Sequence, residues 1–267
     1  WVIDFDDFIL LGKDISDDEF QKRAGSVESI DTAGIIYTSG TTGVPKGAVI
    51  SNGNFLFTTN SVKKAAKFED DDQTFLFLPL AHVFARILVN SVIAVGNTMT
   101  FFRGMETLVD DFQIVRPHFF SSVPRIFEKV YSKVISGAEA KGGAALKIFN
   151  WAKGVGSEVS ELIIAKKNIP FMLGLKYKVA TKLVFSKVQG ALGGRVRFCI
   201  SGAAPLNPEI AKFFHGAGVL VLEGLGMSEN TSVTNVNRPD NYKFGYVGQP
   251  VEGVEQKIAE DGEICFR

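Results

Sequence analysis

Cysteine is scarce: Cys199 and Cys265 are the only two in 267 residues, and they stand far apart in unrelated surroundings. Such a pair gives neither a disulfide framework nor a metal-ligand spacing, and it predicts reduced core thiols in a cytoplasmic protein. An excess of one charge is missing too, since 29 lysines and arginines balance 29 aspartates and glutamates. A formal net charge of zero gives no electrostatic case for nucleic acid or for an anionic membrane surface. Long hydrophobic runs are also absent: the longest apolar stretch, 87–95, is broken by Asn90 and Ser91 and is too short to span a bilayer. No signal-peptide pattern and no Ser/His/Asp triad is apparent. The remaining composition, 46% hydrophobic and 22% charged, is that of a soluble globular chain able to bury a substantial core. Its 23 phenylalanines are conspicuous; most are predicted to be core, while a few could line a hydrocarbon tunnel.

The densest chemistry lies in residues 37–47, Tyr-Thr-Ser-Gly-Thr-Thr-Gly-Val-Pro-Lys-Gly, directly after the apolar run 33–36. Glycines let backbone N–H groups turn toward a ligand, hydroxyls add neutral donors, and Lys46 adds a point charge. Such a loop after a buried strand suits phosphate. It is not the common nucleotide P-loop, because Pro45-Lys46-Gly47 lacks both the glycine before the lysine and the hydroxyl after it. Pro45 forbids a helix running through this point, and Ala48-Val49-Ile50 looks like a strand. The prediction is a strand–loop–strand hairpin.

Strands are predicted over 33–38, 47–51, 74–79, 98–102, 118–123, 196–201 and 219–223, with helices near 53–68, 83–96, 105–114 and 207–216. This alternation predicts an α/β fold of parallel βαβ layers flanked by helices. Residues 124–192 are Lys-rich and mostly strand-free, and are expected to form a helical insertion in a core domain of residues 1–230. From 231 to 267 short strands dominate, which suggests the start of a β-rich subdomain. Ligands in α/β sheets sit beyond the carboxyl ends of the strands. Thr38, His82, Ser201 and Glu223 each stand near such an end and are predicted to converge on one crevice.

Residues 37–47 resemble the signature loop of the adenylate-forming (AMP-binding) superfamily of acyl-CoA synthetases, luciferases and peptide-synthetase adenylation domains. Further segments match in the order of that family: Leu78-Pro79-Leu80-Ala81-His82-Val83-Phe84, Ser201-Gly202-Ala203-Ala204-Pro205-Leu206 and Glu223-Gly224-Leu225-Gly226-Met227-Ser228-Glu229. So do Gly245-Tyr246-Val247-Gly248-Gln249-Pro250 and Gly262-Glu263-Ile264-Cys265-Phe266-Arg267. Pro79–Arg86, Ser122–Tyr131 and the segments at 185–188 and 191–194 are similar to long-chain fatty acyl-CoA synthetases, as is the helical insert.

The resemblance implies ATP-dependent activation of a long-chain fatty acid to an acyl-adenylate, then to acyl-CoA, with ATP, Mg²⁺ and coenzyme A taking part. It implies nucleotide contacts from Thr38, Ser39, Gly40, Thr41, Thr42, Gly43 and Lys46. Others would come from Gly202, Ala203, Ala204 and Pro205 along the adenine, and from Glu223, Gly224, Leu225, Gly226 and Ser228. Thr38 and Glu229 would hold the metal, Lys46 would neutralise phosphate charge, and Ser228 would hydrogen-bond the α-phosphate. His82, Val83 and Phe127 would border the acyl pocket, making Lys46, His82, Ser228 and Glu229 the catalytic set. Peripheral association with the inner membrane face is compatible with such a substrate. Taken alone, Glu229 could equally cap a helix, Lys46 could be a solvated loop lysine, and His82 could be structural, as His118 and His215 are read.

Three departures stand out. Leu225 replaces the usual adenine-stacking tyrosine, which reduces stacking by roughly 1 kcal/mol. Ser51-Asn52-Gly53-Asn54 replaces Thr-His-x-Asn. The ribose-binding Tyr-x-Thr-Gly-Asp segment and the small C-terminal domain with its lysine are absent from these 267 residues, so the chain resembles a central part of the large domain and is expected to be inactive alone. A non-catalytic nucleotide- or acyl-binding module and a sibling ligase for aryl or amino acids are the alternatives.

Overall fold

The computed structural model describes residues 2–38 and 43–267. Two short helices, α1 (Phe5–Leu10) and α2 (Asp17–Gly25), bury none of their residues. The hairpin β1 (Thr32–Thr38) and β2 (Lys46–Ser51) follows, then α3 (Asn52–Ala66) and β3 (Gln73–Leu76). Next come α4 (Val83–Val95), β4 (Thr98–Phe101), α5 (Leu108–Val115) and β5 (Phe119–Ser122). Four helices then run without an intervening strand: α6 (Pro124–Glu139), α7 (Gly143–Ile164), α8 (Phe171–Ala180) and α9 (Ser186–Ala191), the last two joined by a π-helical turn, Thr181–Phe185. The chain returns through β6 (Phe198–Ser201), α10 (Pro208–Gly216) and β7 (Leu220–Leu225), and closes with β8 (Asn235–Val236), β9 (Gln249–Pro250), β10 (Gln256–Ile258) and β11 (Ile264–Phe266).

The main sheet has the order β4-β3-β5-β6-β7-β8-β9, parallel from β4 to β7 and antiparallel beyond. Alternate residues of a strand face opposite sides, and the parallel strands are apolar on both. Phe75, Phe120, Cys199 and Val221 pack under α5–α8 and α10, whereas Leu76, Phe119, Phe198 and Leu222 pack under α3 and α4. The fold is therefore mixed α/β, with a parallel-rich sheet covered by helices on both faces. From β3 the chain first steps outward to β4, then crosses back to β5. That reversal opens a crevice at the carboxyl ends of the strands.

Local sequence sets the helix starts. Ser51 and Asn54 form a reciprocal capping box on α3, with Ser51 Oγ accepting from Asn54 N–H at 3.2 Å and Asn54 Oδ1 accepting from Ser51 N–H at 3.0 Å. The departure Ser51–Asn54 thus does a capping job. Proline opens α6 and α10 at a position where its missing N–H costs nothing.

Two expectations are corrected. The strand before the phosphate loop is not a buried member of the sheet. β1 and β2 form a separate antiparallel pair in which Ile36 and Ile50 reach a small core with Val83 and Ile87, while Ile35, Tyr37 and Val49 are exposed. A two-stranded hairpin covered on one side has only one face to bury. Cys265 is not a core thiol: it lies exposed on the β10–β11 hairpin, and only Cys199 is buried. Beyond residue 230 short strands follow, and two of them extend the main sheet, β8 pairing with β7 and β9 with β8.

Candidate active site

A cavity of about 650 Å³ opens where the β1–β2 hairpin approaches the carboxyl ends of β3, β6 and β7. The hairpin contributes Thr38 and Lys46, which face each other across the ladder and so flank the mouth of the loop between them. The segment after β3 contributes His82, the N-cap of α4, together with Val83 and Phe84. From β6 and the turn after it come Ser201, Gly202 and Ala203, the last held at a positive φ of 68°. The end of β7 and the 3₁₀ turn Ser228–Asn230 supply Gly224, Leu225, Gly226, Met227, Ser228 and Glu229.

Each wall has a local reason for its shape. The turn after β7 doubles back, with Thr234 N–H donating to Leu225 O at 2.9 Å and Ser232 N–H to Met227 O at 2.9 Å. At Gly226 a Cβ would lie 1.2 Å from Ser232 O, so no larger residue fits this close approach. Asn230 Oδ1 accepts from Met227 N–H at 3.0 Å and locks the turn that presents Ser228 and Glu229. Across the cavity Thr38 Oγ1 donates to Glu229 Oε1 at 3.4 Å, joining two sequence motifs 191 residues apart.

The donor set suits magnesium bound with a nucleotide. Mg²⁺ keeps most of its waters, uses one or two carboxylates, and takes substrate phosphate oxygens for the rest. One carboxylate beside one hydroxyl, facing a cationic loop mouth, meets that need. Among the described residues no group of three or more His, Cys, Asp or Glu gathers into a metal cage. Among the described residues Ser201 Oγ, buried in the cavity wall, finds no hydrogen-bond partner, which leaves a polar group for a ligand.

The structure brings together most of the residues singled out from sequence: Thr38, Lys46, His82, Val83, Gly202, Ala203, Gly224, Leu225, Gly226, Ser228 and Glu229 all line this cavity. Ser39, Gly40, Thr41 and Thr42 lie outside the described residues. Gly43 stands at the start of the return limb with φ 94°. Ala204 and Pro205 are exposed and do not line the cavity.

Two residues sit elsewhere. Glu223 is 6% exposed, and its carboxylate accepts from Leu206 N–H at 3.1 Å and Gly245 N–H at 3.0 Å. It lies within β7 rather than beyond it, and it ties the 202–206 turn and the 245 turn to the sheet. Phe127 is 1% exposed in the main core, stacked on Phe120 and edge-on to Phe214. One turn into α6 it points at the sheet, so the aromatic ring bordering the cavity is Phe84 instead. Ser201, predicted to converge on the crevice, lines it, whereas sequence reasoning did not single out Phe84 and Met227, although each belongs to a quoted motif. A larger hollow of about 910 Å³ between α3 and α4, near Asn52, Phe55 and Asn90, gathers none of the candidate residues.

Comparisons with known proteins give the chain's family and fold. The model of the family described as "AMP-binding enzyme" matches residues 2–267. A long-chain-fatty-acid–CoA ligase of Homo sapiens is 33% identical over 274 residues, covering 98% of this chain and 40% of the relative. Among solved structures, o-succinylbenzoate CoA synthetase from Bacillus subtilis with its acyl-adenylate aligns with a TM-score of 0.61 at 19% identity, covering 90% of this chain and 39% of that one. The same synthetase with ATP and magnesium aligns with a TM-score of 0.59 at 19% identity over 90% of this chain and 40% of that one. The chain thus spans about 40% of the human relative's length. With the family model matching from residue 2 to residue 267, the chain belongs to the AMP-binding enzyme family.

Proposed function

We propose that this chain carries the nucleotide site of a ligase that activates a long-chain fatty acid with ATP, first to the acyl-adenylate and then to acyl-CoA. The observation that carries this reading is the meeting of Thr38, Lys46 and Glu229 at one cavity mouth. The fatty-acid assignment draws on the relative of Homo sapiens, whose name states that substrate.

A carboxylate is a weak nucleophile, and the α-phosphorus it must attack is surrounded by negative oxygens. Positioning and charge neutralisation are therefore the main needs. Lys46 offsets the charge of the β- and γ-phosphates, and the hydroxyl of Ser228 donates to an α-phosphate oxygen. Leu225 and Ala203 pack against the adenine. His82, Val83 and Phe84 border the side from which the acid's carboxylate enters. One carboxylate oxygen forms the new bond to the α-phosphorus while the bond to the pyrophosphate oxygen breaks. In the second step the thiol sulfur of coenzyme A bonds to the acyl carbon, the thiol proton is lost, and AMP leaves with both electrons of the acyl–oxygen bond. Thr38 and Glu229 would hold Mg²⁺, which supplies neutralisation of phosphate charge. The acyl group rests on nucleotide throughout, so no enzyme nucleophile is required.

The test is acid-dependent exchange of pyrophosphate into ATP by the full-length protein, comparing acetate, hexanoate, palmitate, benzoate and amino acids. Exchange is expected with palmitate and is expected to fall about a hundredfold or more in Glu229→Ala. Exchange with benzoate or an amino acid instead would replace the substrate while keeping the mechanism. ATP binding without any exchange would remove the ligase reading.

A further inference from the structure

Behind the wall of the main cavity lies a second, far smaller one of about 40 Å³, enclosed between α3, α4 and the sheet face that they cover. Phe84, Ile200, Ser232, Val233 and Val236 line both spaces, so the chamber shares a wall with the candidate active site. That wall is a fixed feature. Ser232 is held at φ 87°, a backbone conformation that residues with a side chain rarely adopt, and its N–H donates to Met227 O at 2.9 Å. Away from the shared wall the lining is apolar except at two residues, Ser121 and Asn237.

Those two differ in what they have left to offer. The Asn237 amide is already used: its Oδ1 accepts from Lys243 N–H at 3.0 Å, and its Nδ2 donates to Tyr246 O at 2.6 Å. Ser121 is 1% exposed, and its Oγ finds no partner among the described residues. It stands two residues beyond Phe119 in β5 and so shares that residue's face of the sheet. Across the ladder Ser121 is in register with Ile200, and Ile200 with Leu222, so the row that runs on from the serine is apolar. An alanine in that row would leave nothing unpaired. Burying a hydroxyl without a partner costs free energy, and a fold that bears this cost beside its active site has kept the group for a ligand atom.

From these observations we infer that the chamber seats an oxygen substituent on the acyl chain, with Ser121 as its hydrogen-bond partner. The acid preferred by the ligase is then a fatty acid carrying a hydroxyl group near its carboxyl end, rather than an unsubstituted one. This rests on the fatty-acid reading above and adds a specificity-determining residue to it. Size supports the assignment, since about 40 Å³ has room for roughly two or three water-sized groups, enough for a hydroxyl and too little for an extended hydrocarbon tail. Chemistry supports it too, because a serine hydroxyl both donates and accepts and can pair with a chain hydroxyl in either direction. The position near the carboxyl end follows from Phe84, which borders both the chamber and the side where the acid's carboxylate enters. A site that hydrogen-bonds a substrate hydroxyl also discriminates against the analogue lacking it, because its own polar group is then left unpaired.

The test is kcat/KM for pyrophosphate exchange by the full-length protein with four acids of one length: palmitate and its α-hydroxy, β-hydroxy and ω-hydroxy derivatives. The α- or β-hydroxy acid is expected to exceed palmitate by about tenfold, the worth of one good hydrogen bond, and the ω-hydroxy acid to show no such gain. In Ser121→Ala the ratio of hydroxy acid to palmitate should fall to about one. The readout is a ratio, so a change common to both acids drops out. Removing an unpaired hydroxyl should also leave the thermal midpoint no lower than that of the native protein. Exchange with palmitate but no preference for either hydroxy acid would overturn this inference and leave the fatty-acid reading standing, as would a preference that Ser121→Ala leaves intact. A lowered midpoint in Ser121→Ala would overturn it too, since the hydroxyl would then serve the fold. Exchange with benzoate or an amino acid and with none of the four would overturn both readings together.

Discussion

Glu223 shows how one side chain can serve a site without entering it. Its carboxylate is the acceptor for two N–H groups, that of buried Leu206 and that of exposed Gly245, from turns on either side of β7. Glu223→Ala leaves the buried Leu206 N–H unpaired and releases the Gly245 turn to water, and is expected to cost about 1–3 kcal/mol, measured as a shift in the urea midpoint at unchanged slope. Glu223→Gln keeps one acceptor oxygen and should lose roughly half as much; equal losses in both variants would refute the bridging role. The sequence could not separate this from nucleotide contact, because a carboxylate at the end of an apolar run reads the same whether it turns toward ligand or toward backbone. Lys46, Ser228 and Glu229 were legible because glycines and turns on both sides force their side chains to a surface. Phe127 was not, since one residue after Val123-Pro124-Arg125-Ile126 decides between lining a tunnel and filling the core, and only the rotation of α6 settles it.

At the scale of elements, α7 and α10 meet at glycines. A Cβ on Gly216 would stand 2.6 Å from Gly156 O, so the two backbones approach closely. One turn further along α7, Ser160 Oγ comes within 2.7 Å of His215 Nδ1, and Tyr242 Oη lies 2.8 Å from His215 Nε2. The chain Ser160–His215–Tyr242 ties the helical layer to the 240s segment. Burial lowers the His215 pKa from 6.5 to about 4, so the unfolded chain takes up the proton first. The stability held by neutral His215 is full above pH 6.5 and is lost as pH falls toward 4, by roughly 3 kcal/mol in all. Denaturation at pH 7, 6 and 5 should show this loss in the native protein, with a clearly smaller slope in His215→Asn. Identical slopes would contradict it. His215 reads as structural in the sequence and is so here, but its two partners lie 55 residues before it and 27 after, a pairing that no periodicity announces.

For the whole molecule, the two cysteines give a direct probe. Cys199 is at the centre of the sheet, and burial pushes its thiol well above the ordinary range, while Cys265 is exposed. A thiol reagent at neutral pH should therefore modify one cysteine at once and the second only at the rate of global opening. Rapid modification of both would mean that β6 is not the core strand. The alternation of strands and helices made the α/β class legible, but the strand order was not, because the reversal between β4 and β5 depends on which face each connection crosses. The separateness of the β1–β2 hairpin was equally hidden, since its apolar residues look like those of a buried strand. That separateness has a consequence for how the site can be tuned. Lys46 and Glu229 are mounted on two different bodies, one seated through Ile36, Ile50, Val83 and Ile87 and the other built into the sheet. The gap between cation and carboxylate is thus set like the jaws of a vice by the volume of four aliphatic side chains, none of which touches a phosphate. Substitutions in that seat could widen or narrow the grip on the triphosphate while leaving every ligand-facing residue as it is.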